Sequence, residues 1–339
     1  MSVNRLLVRW FLSKQPCRFV RGGRTAEIYP LPAPPEYPQT SASVSETQGP
    51  QQVARATEPP FKLRSYTLTT VVNHSDTLRN LVDLGVSLWQ VENFSDCANL
   101  LVRLDWSRDV VPVCAFLIRN GVHPELLGTY LSRNPHIFSQ NLEDLQVRLN
   151  YLEAKGFPAA AIGRVIYRAN LWLNMPVKII DRRLGWLQRE FELTGDEVRL
   201  VVCKAPNLII NGTGYLQTVK FALHEEMGFT DEQMKHIMVN APKVWMVDRG
   251  QLVGAFEYLH HQMKLSLEHI LYWPQILRVP VRIVRYRHQF LKKIRRAQYN
   301  RLMPNYVSLQ ALVTKSDAEF CSKIAKCSVA EYNDFLKHE

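Results

Sequence analysis

From about residue 75 onward, leucine, isoleucine and valine recur at the three- and four-residue steps that give a helix one apolar face. The stripes themselves recur. Leu145, Ile180, Leu216, Leu252 and Val284 hold one position of a longer cycle, and Leu152, Leu187, Leu223, Leu259 and Leu291 hold another seven residues on. A short punctuation sets their phase. Arg133-Asn134-Pro135-His136-Ile137-Phe138, Lys204-Ala205-Pro206-Asn207-Leu208-Ile209, Asn240-Ala241-Pro242-Lys243-Val244-Trp245 and Tyr272-Trp273-Pro274-Gln275-Ile276-Leu277 share one outline. Arg168-Ala169-Asn170-Leu171-Trp172-Leu173 fits it with asparagine in place of proline. Reference positions 135, 170, 206, 242 and 274 lie 35, 36, 36 and 32 residues apart. A period in this range belongs to stacked supersecondary units, not to a single wrapped core.

Within each unit the pattern predicts a helix, a turn, a second helix and then the proline. The turns fall at Gly156, Gly195, Gly228 and a polar stretch near Ser266. Thr194-Gly195-Asp196-Glu197 and Thr230-Asp231-Glu232-Gln233 fit the capping box that opens a helix, and Pro124 and Pro158 suit a first helical turn. The second helix ends at the proline because the residue before it is pushed out of helical geometry. Upstream, Leu81-Val82-Asp83-Leu84-Gly85-Val86 matches Leu117-Ile118-Arg119-Asn120-Gly121-Val122. A proline-free reference point at Leu100 keeps Val110 and Leu117 in phase. The array therefore starts near residue 75 with a degenerate unit, as terminal repeats do.

Helix pairs of this length with proline punctuation, in a basic chain, resemble the mitochondrial transcription termination factors, the mTERF family. Arg296-Ala297-Gln298-Tyr299, Pro304-Asn305-Tyr306-Val307-Ser308-Leu309 and Phe320-Cys321-Ser322-Lys323-Ile324-Ala325-Lys326 look like the third metazoan branch of that family. The resemblance covers roughly residues 75 to 339. It implies an all-α fold, a right-curving solenoid of about six mTERF-like helix pairs with a concave face. It also implies a mitochondrial matrix protein that binds nucleic acid and regulates mitochondrial gene expression. The partner is then mitochondrial DNA near the promoter region, whose transcription it restrains, or ribosomal RNA during biogenesis of the large mitoribosomal subunit. The family includes a branch that escorts an RNA methyltransferase. A protein-binding adaptor that scaffolds a mitoribosome assembly factor is therefore the alternative.

Charge placement sharpens the picture more than its sum of +11. Residues 1–26 carry six basic residues and no acid, with apolar residues between them. This is the composition of a mitochondrial transit peptide, or of a basic arm that stays on and binds nucleic acid. Arg9 and Lys14 interrupt any apolar core a secretory signal would need. Residues 30–60 hold eight prolines among polar residues, too little apolar surface to offset ordering. The expected organisation is a transit peptide over 1–26, a proline-rich linker over 27–74, the repeats over 75–316 and a C-terminal helical cap over 317–339. The six cysteines form no framework and read as reduced thiols. No apolar run is long enough to span a membrane.

Three sets of basic residues are candidate ligands. Arg133, Arg168 and Lys204 stand two before the reference position, where a cation also relieves helix-end carbonyls. Arg148, Arg183 and Arg287 stand thirteen past it, either as a ladder along a phosphate backbone or as solvated partners of Asp144 and Asp181. The third set lies in residues 269–316, which hold ten basic residues and no acid. On a helix from about 281 to 296, Arg282, Arg285, Gln289, Lys292, Lys293 and Arg296 share one face, opposite Ile283, Val284, Phe290, Leu291 and Ile294. A single-sign face repels itself unless a polyanion covers it. Such a face positions phosphates without reading bases. Trp172 and Trp245, two and three past the reference position, read as core residues.

Catalytic signatures are incomplete. His224-Glu225 lacks a second histidine at Gly228, and Gly212-Thr213-Gly214 lacks the third glycine of a dinucleotide fingerprint. His260 and His261 are adjacent, so on a helix they point about 100° apart. The expectation is no enzyme, no catalytic residue, no cofactor and no metal site.

Overall fold

The computed structural model describes residues 67–313 and 316–338, so the transit-peptide assignment and the linker up to residue 66 lie outside it. Every regular element among the described residues is helical. The chain divides into two compact units, one reaching Ala115 and including His123–Pro135, the other formed by Phe116–Val122 and His136–Glu339.

In the first unit, the described residues include 67–74 of the stretch assigned to the linker. Two 3-10 turns, Leu68–Thr70 and Val72–His74, bury Leu68 and Val71. Ser75 then caps helix Asp76–Asp83 by accepting from the Leu78 amide. Leu78, Leu81, Leu101, Val110, Leu127, Tyr130 and Leu131 are fully buried, and Ser132 ties the turn at Ser87 to helix Leu127–Arg133 through a 2.8 Å bond.

The second unit carries the repeats. All ten residues of the two apolar series are buried, from Leu145 and Leu152 to Val284 and Leu291. Thr194 and Thr230 form complete capping boxes with Glu197 and Gln233. Pro158 is the residue before helix Ala159–Arg168, one position earlier than the pattern suggests.

The punctuation works as expected. Asn134, Ala205, Ala241 and Trp273, each preceding a repeat proline, have φ between −144° and −134° and ψ between 53° and 72°. Ala169 takes φ −109°, ψ 68° without a following proline. The break there is held instead by Trp172 and Leu173, both buried completely in the next turn.

A second periodic device was less legible. Left-handed residues recur at Gly85, Gly121, Gly156, Glu192, Gly228, Lys264, Arg295 and Lys326, spaced 36, 35, 36, 36, 36, 31 and 31. Each ends the first helix of a pair. The amide one residue on bonds back to the last turn, as Val86 does to Leu81, Phe157 to Leu152 and Arg296 to Leu291. This is a Schellman closure. In three repeats it contains one extra residue, within the π turns Ala222–Glu226, Tyr258–Gln262 and Phe320–Ala325. Gly195 and Ser266, read as turns in the sequence, instead open the next helices as first residue and cap. The turns themselves fall on Glu192 and Lys264, whose side chains hide the signal that glycine gives elsewhere.

The following repeat packs onto these turns. A Cβ on Gly163 would sit 2.4 Å from the Gly121 carbonyl oxygen, so helix Ala159–Arg168 touches the turn backbone directly. Gly163→Ala should therefore cost about 1–3 kcal/mol as an overpacked contact. Glu192→Gly should raise stability by about 0.5–1 kcal/mol, since glycine removes the left-handed penalty at some cost in unfolded-chain entropy. Urea denaturation of the two variants beside wild type measures both.

Candidate nucleic-acid interface

Helix Val281–Lys293 starts after Pro280 and ends at the left-handed Arg295, three residues short of the predicted end. Val284, Phe290 and Leu291 are buried, with the Phe290 ring 5.0 Å from that of Tyr332 and 5.2 Å from Phe335. Burying that side fixes which side faces solvent. Arg282, Arg285, Lys292 and Lys293 are all exposed. The turn at Arg295 carries Arg296 off the helix, and its guanidinium donates to the Ala325 carbonyl at 2.8 Å. Arg296 thus closes the π turn Phe320–Ala325 and leaves the shared face. Gln289 is only half exposed.

The four remaining cations take part in none of the ion pairs among the described residues. Two rest on rings instead. The Arg285 guanidinium carbon lies 5.5 Å from the Tyr258 ring centre and Lys293 Nζ lies 5.3 Å from that of Phe335. Such contacts orient a cation without neutralising it. Beneath the face, His288 Nδ1 is 2.9 Å from the Tyr299 hydroxyl. Burial and the Lys292 charge both lower the His288 pKa, so it adds no further charge at neutral pH. Arg278, Arg295 and Arg301 are also exposed in the same acid-free segment.

The arginines thirteen past the reference positions are placed differently. Arg148 donates to the Leu173 carbonyl and, at 2.9 Å, to Gln140 Oε1. Arg183 Nη1 donates to the carbonyls of Ile209 at 2.6 Å and Ile210 at 2.8 Å. Arg287 is 3% exposed, donates to the Leu312 carbonyl at 3.1 Å, pairs with Asp317 at 2.8 Å and lies 4.9 Å over the Phe320 ring. Each reaches about 25 residues ahead, into the turn of the next unit. The series is a ladder, but one built into the protein, and Arg287 is withdrawn from any external ligand. Asp181, the expected neighbour of Arg183, pairs with Lys155 at 2.7 Å and the Tyr151 hydroxyl at 2.8 Å, which hold its carboxyl below the usual range.

The remaining set divides. Lys204 Nζ donates to the Val239 carbonyl at 2.9 Å, again one repeat ahead. Arg133 and Arg168 are exposed in the last turns of helices Leu127–Arg133 and Ala159–Arg168. Trp172 and Trp245 are completely buried, Trp245 with its ring 4.7 Å from that of Phe191, so neither is open to a base. His260 is occupied by the Leu265 carbonyl at 2.8 Å, and no three metal-ligating side chains converge among the described residues. None of the described helices is long and apolar enough to cross a membrane.

One aromatic residue escaped the sequence reading. Tyr272, at the end of helix Leu267–Tyr272, is 62% exposed and carries the Arg301 guanidinium 3.5 Å from its ring centre. Together with Glu268 it lines two pockets of about 610 and 660 Å3. A tyrosine two before a repeat proline gives no periodic signal, because lysine, arginine or asparagine stands there in the other units.

Structure and surface together define an all-α repeat protein whose exposed basic face is free of acidic partners. The chain belongs to the mTERF family, whose profile matches residues 68–321. It is 34% identical over 299 residues to a Drosophila melanogaster protein named transcription termination factor 3, mitochondrial, spanning 86% of this chain and 83% of that one. The mouse protein of the same name is 37% identical over 295 residues, 87% of this chain and 71% of its own. Mouse transcription termination factor 4, mitochondrial, is 22% identical over 235 residues, 68% of this chain and 57% of its own.

Arg183→Ala should destabilise the protein by about 1.5–3 kcal/mol, the range for a lost hydrogen-bonding charge. Its affinity for nucleic acid should stay within about two-fold of wild type. Denaturation and binding titrations of one preparation separate this internal role from a ligand contact, which would give the reverse pattern.

Proposed function

We propose that this protein is a mitochondrial nucleic-acid-binding regulator of gene expression that grips its target through Arg282, Arg285, Lys292 and Lys293. The observation that carries the reading is that these four side chains share an exposed helix face within a segment that contains no acid. Phosphate contacts of this kind release counterions and position the protein without base recognition. Arg133 and Arg168, also exposed, are further contact residues of the expected set. The names of the Drosophila and mouse relatives support a role in mitochondrial transcription. The acid-free arginine-rich leader supports import into the matrix. Restraint of transcription on mitochondrial DNA near the promoter region is the first assignment. Binding to ribosomal RNA during biogenesis of the large mitoribosomal subunit uses the same chemistry.

The test is the salt dependence of binding of the full chain to duplex DNA and to ribosomal RNA. Wild type should show a steep fall, with a slope of about −0.9 per phosphate contact on duplex DNA. The quadruple Arg282, Arg285, Lys292 and Lys293→Glu variant should flatten that slope by about four contacts and lose at least about a hundred-fold in affinity. The polymer with the steeper slope is the substrate. Absence of binding to either, with capture of a mitoribosome assembly factor retained in the variant, would replace this reading with the adaptor.

A further inference from the structure

We propose that Tyr272 is a stacking platform for an unpaired nucleobase, so that the nucleic acid held by the basic face presents an unpaired stretch at this position; this rests on the nucleic-acid reading above. Most aromatic rings of the array are buried or half-buried, whereas Tyr272 exposes 62% of its surface. One side of its ring is covered by the Arg301 guanidinium at 3.5 Å, a contact that fixes the ring's orientation. The other pocket that Tyr272 lines is not lined by Arg301. Stacking on a ring held in this way is sequence-tolerant, because every base has a π-face.

The loop that supplies Arg301 is a built element. The Val307 amide donates to the Gln298 carbonyl at 2.7 Å and closes it into a compact loop. Within it, Asn300 Oδ1 accepts from the Leu302 amide at 3.0 Å, and the Asn300 carbonyl accepts from Met303 at 3.1 Å. Tyr299 anchors the base of the loop, buried with its hydroxyl on His288. The tip holds Leu302 at 92% and Met303 at 50% exposure, next in sequence to Arg301. Compact loops of this type are frequently functional, and exposed leucine and methionine beside arginine suit contact with the apolar faces of bases.

Charge decides which part of the strand enters. The pocket that Arg301 does not line holds Glu232 and Glu268 with the polar edges of Gln233, His236 and Asn240. Carboxylates repel a phosphate but accept hydrogen bonds from base amino groups. Glu268 borders both pockets, but in the first it is outweighed by Arg301 and Lys264, to which phosphates are drawn. A duplex keeps its bases stacked on one another and has no face to offer Tyr272.

The experiment compares binding of the full chain to three fluorescent probes: a single-stranded oligonucleotide of about 12 nucleotides, an abasic strand with the same backbone, and the matching duplex. Wild type should prefer the base-bearing strand over the abasic one by about ten-fold or more. Tyr272→Ala should bring the two to parity while leaving affinity for the abasic strand unchanged, and Tyr272→Trp should restore the preference. The side chain is exposed, so these variants leave the core intact. Equal binding of base-bearing and abasic strands by wild type would overturn the proposal, as would a preference that survives Tyr272→Ala. Either result with a steep salt dependence would leave the phosphate reading standing. Loss of binding to all three probes would overturn both.

Discussion

A protein built from many short helices leaves many carbonyls without partners, because each helix ends with up to four of them unsatisfied. In the second unit, cations from a neighbouring repeat satisfy several of these carbonyls. Arg148 and Arg183 reach the turns after the next repeat's break, and Lys204 reaches Val239 at the end of the next second helix. Arg199 and Lys235, equivalent positions 36 residues apart, reach the carbonyls of Lys155 and Glu192 at the Schellman turns of the repeat before. Arg287 and Arg296 do the same at the C-terminal end, through Leu312 and Ala325. Apolar stripes alone would permit neighbouring helices to slide. These bonds tie the backbone of each repeat to a side chain of another at a fixed phase.

The same requirement explains why basic residues recur in step along the repeats. A cation directed at an internal carbonyl is at once a repeat signal and less available to phosphate. Arg282, Arg285, Lys292 and Lys293 stand out because the buried side of their helix is filled by Val284, Phe290 and Leu291. None of the four donates a side-chain hydrogen bond to a carbonyl among the described residues. No acid lies nearby in sequence to neutralise them. Their mutual repulsion is unfavourable for the free protein, and a polyanion relieves it.

The period contracts from 36 to 31 residues near the C-terminal end, where the connection after the first helix also changes. Beyond Arg295 the chain forms the loop that carries Arg301, Leu302 and Met303 before helix Leu309–Leu312 begins. The irregular segment brings an arginine of one repeat onto a tyrosine of the preceding one. Regular repeats could not place those residues together, since the platform depends on the loop closing through Gln298 and Val307.

The helical class, the period, the capped starts at Thr194 and Thr230, and the buried apolar series were legible from the residue pattern. These arise from local rules, since periodicity, capping and the proline effect act within a few residues. The sequence also located the acid-free segment, because charge composition needs no coordinates. The destination of each cation depended on the packing of neighbouring repeats. Arg287 and Lys292 differ little as sequence, yet one is buried against Asp317 and the other is in solvent. Turns at Glu192 and Lys264 were likewise hidden, because packing imposes a left-handed geometry that these residues do not advertise. Tyr272 and Arg301 lie 29 residues apart in sequence; their stacking exists only because the chain folds back between them. Long side chains reach as far as a neighbouring repeat, and the geometry of that neighbour sets where they end.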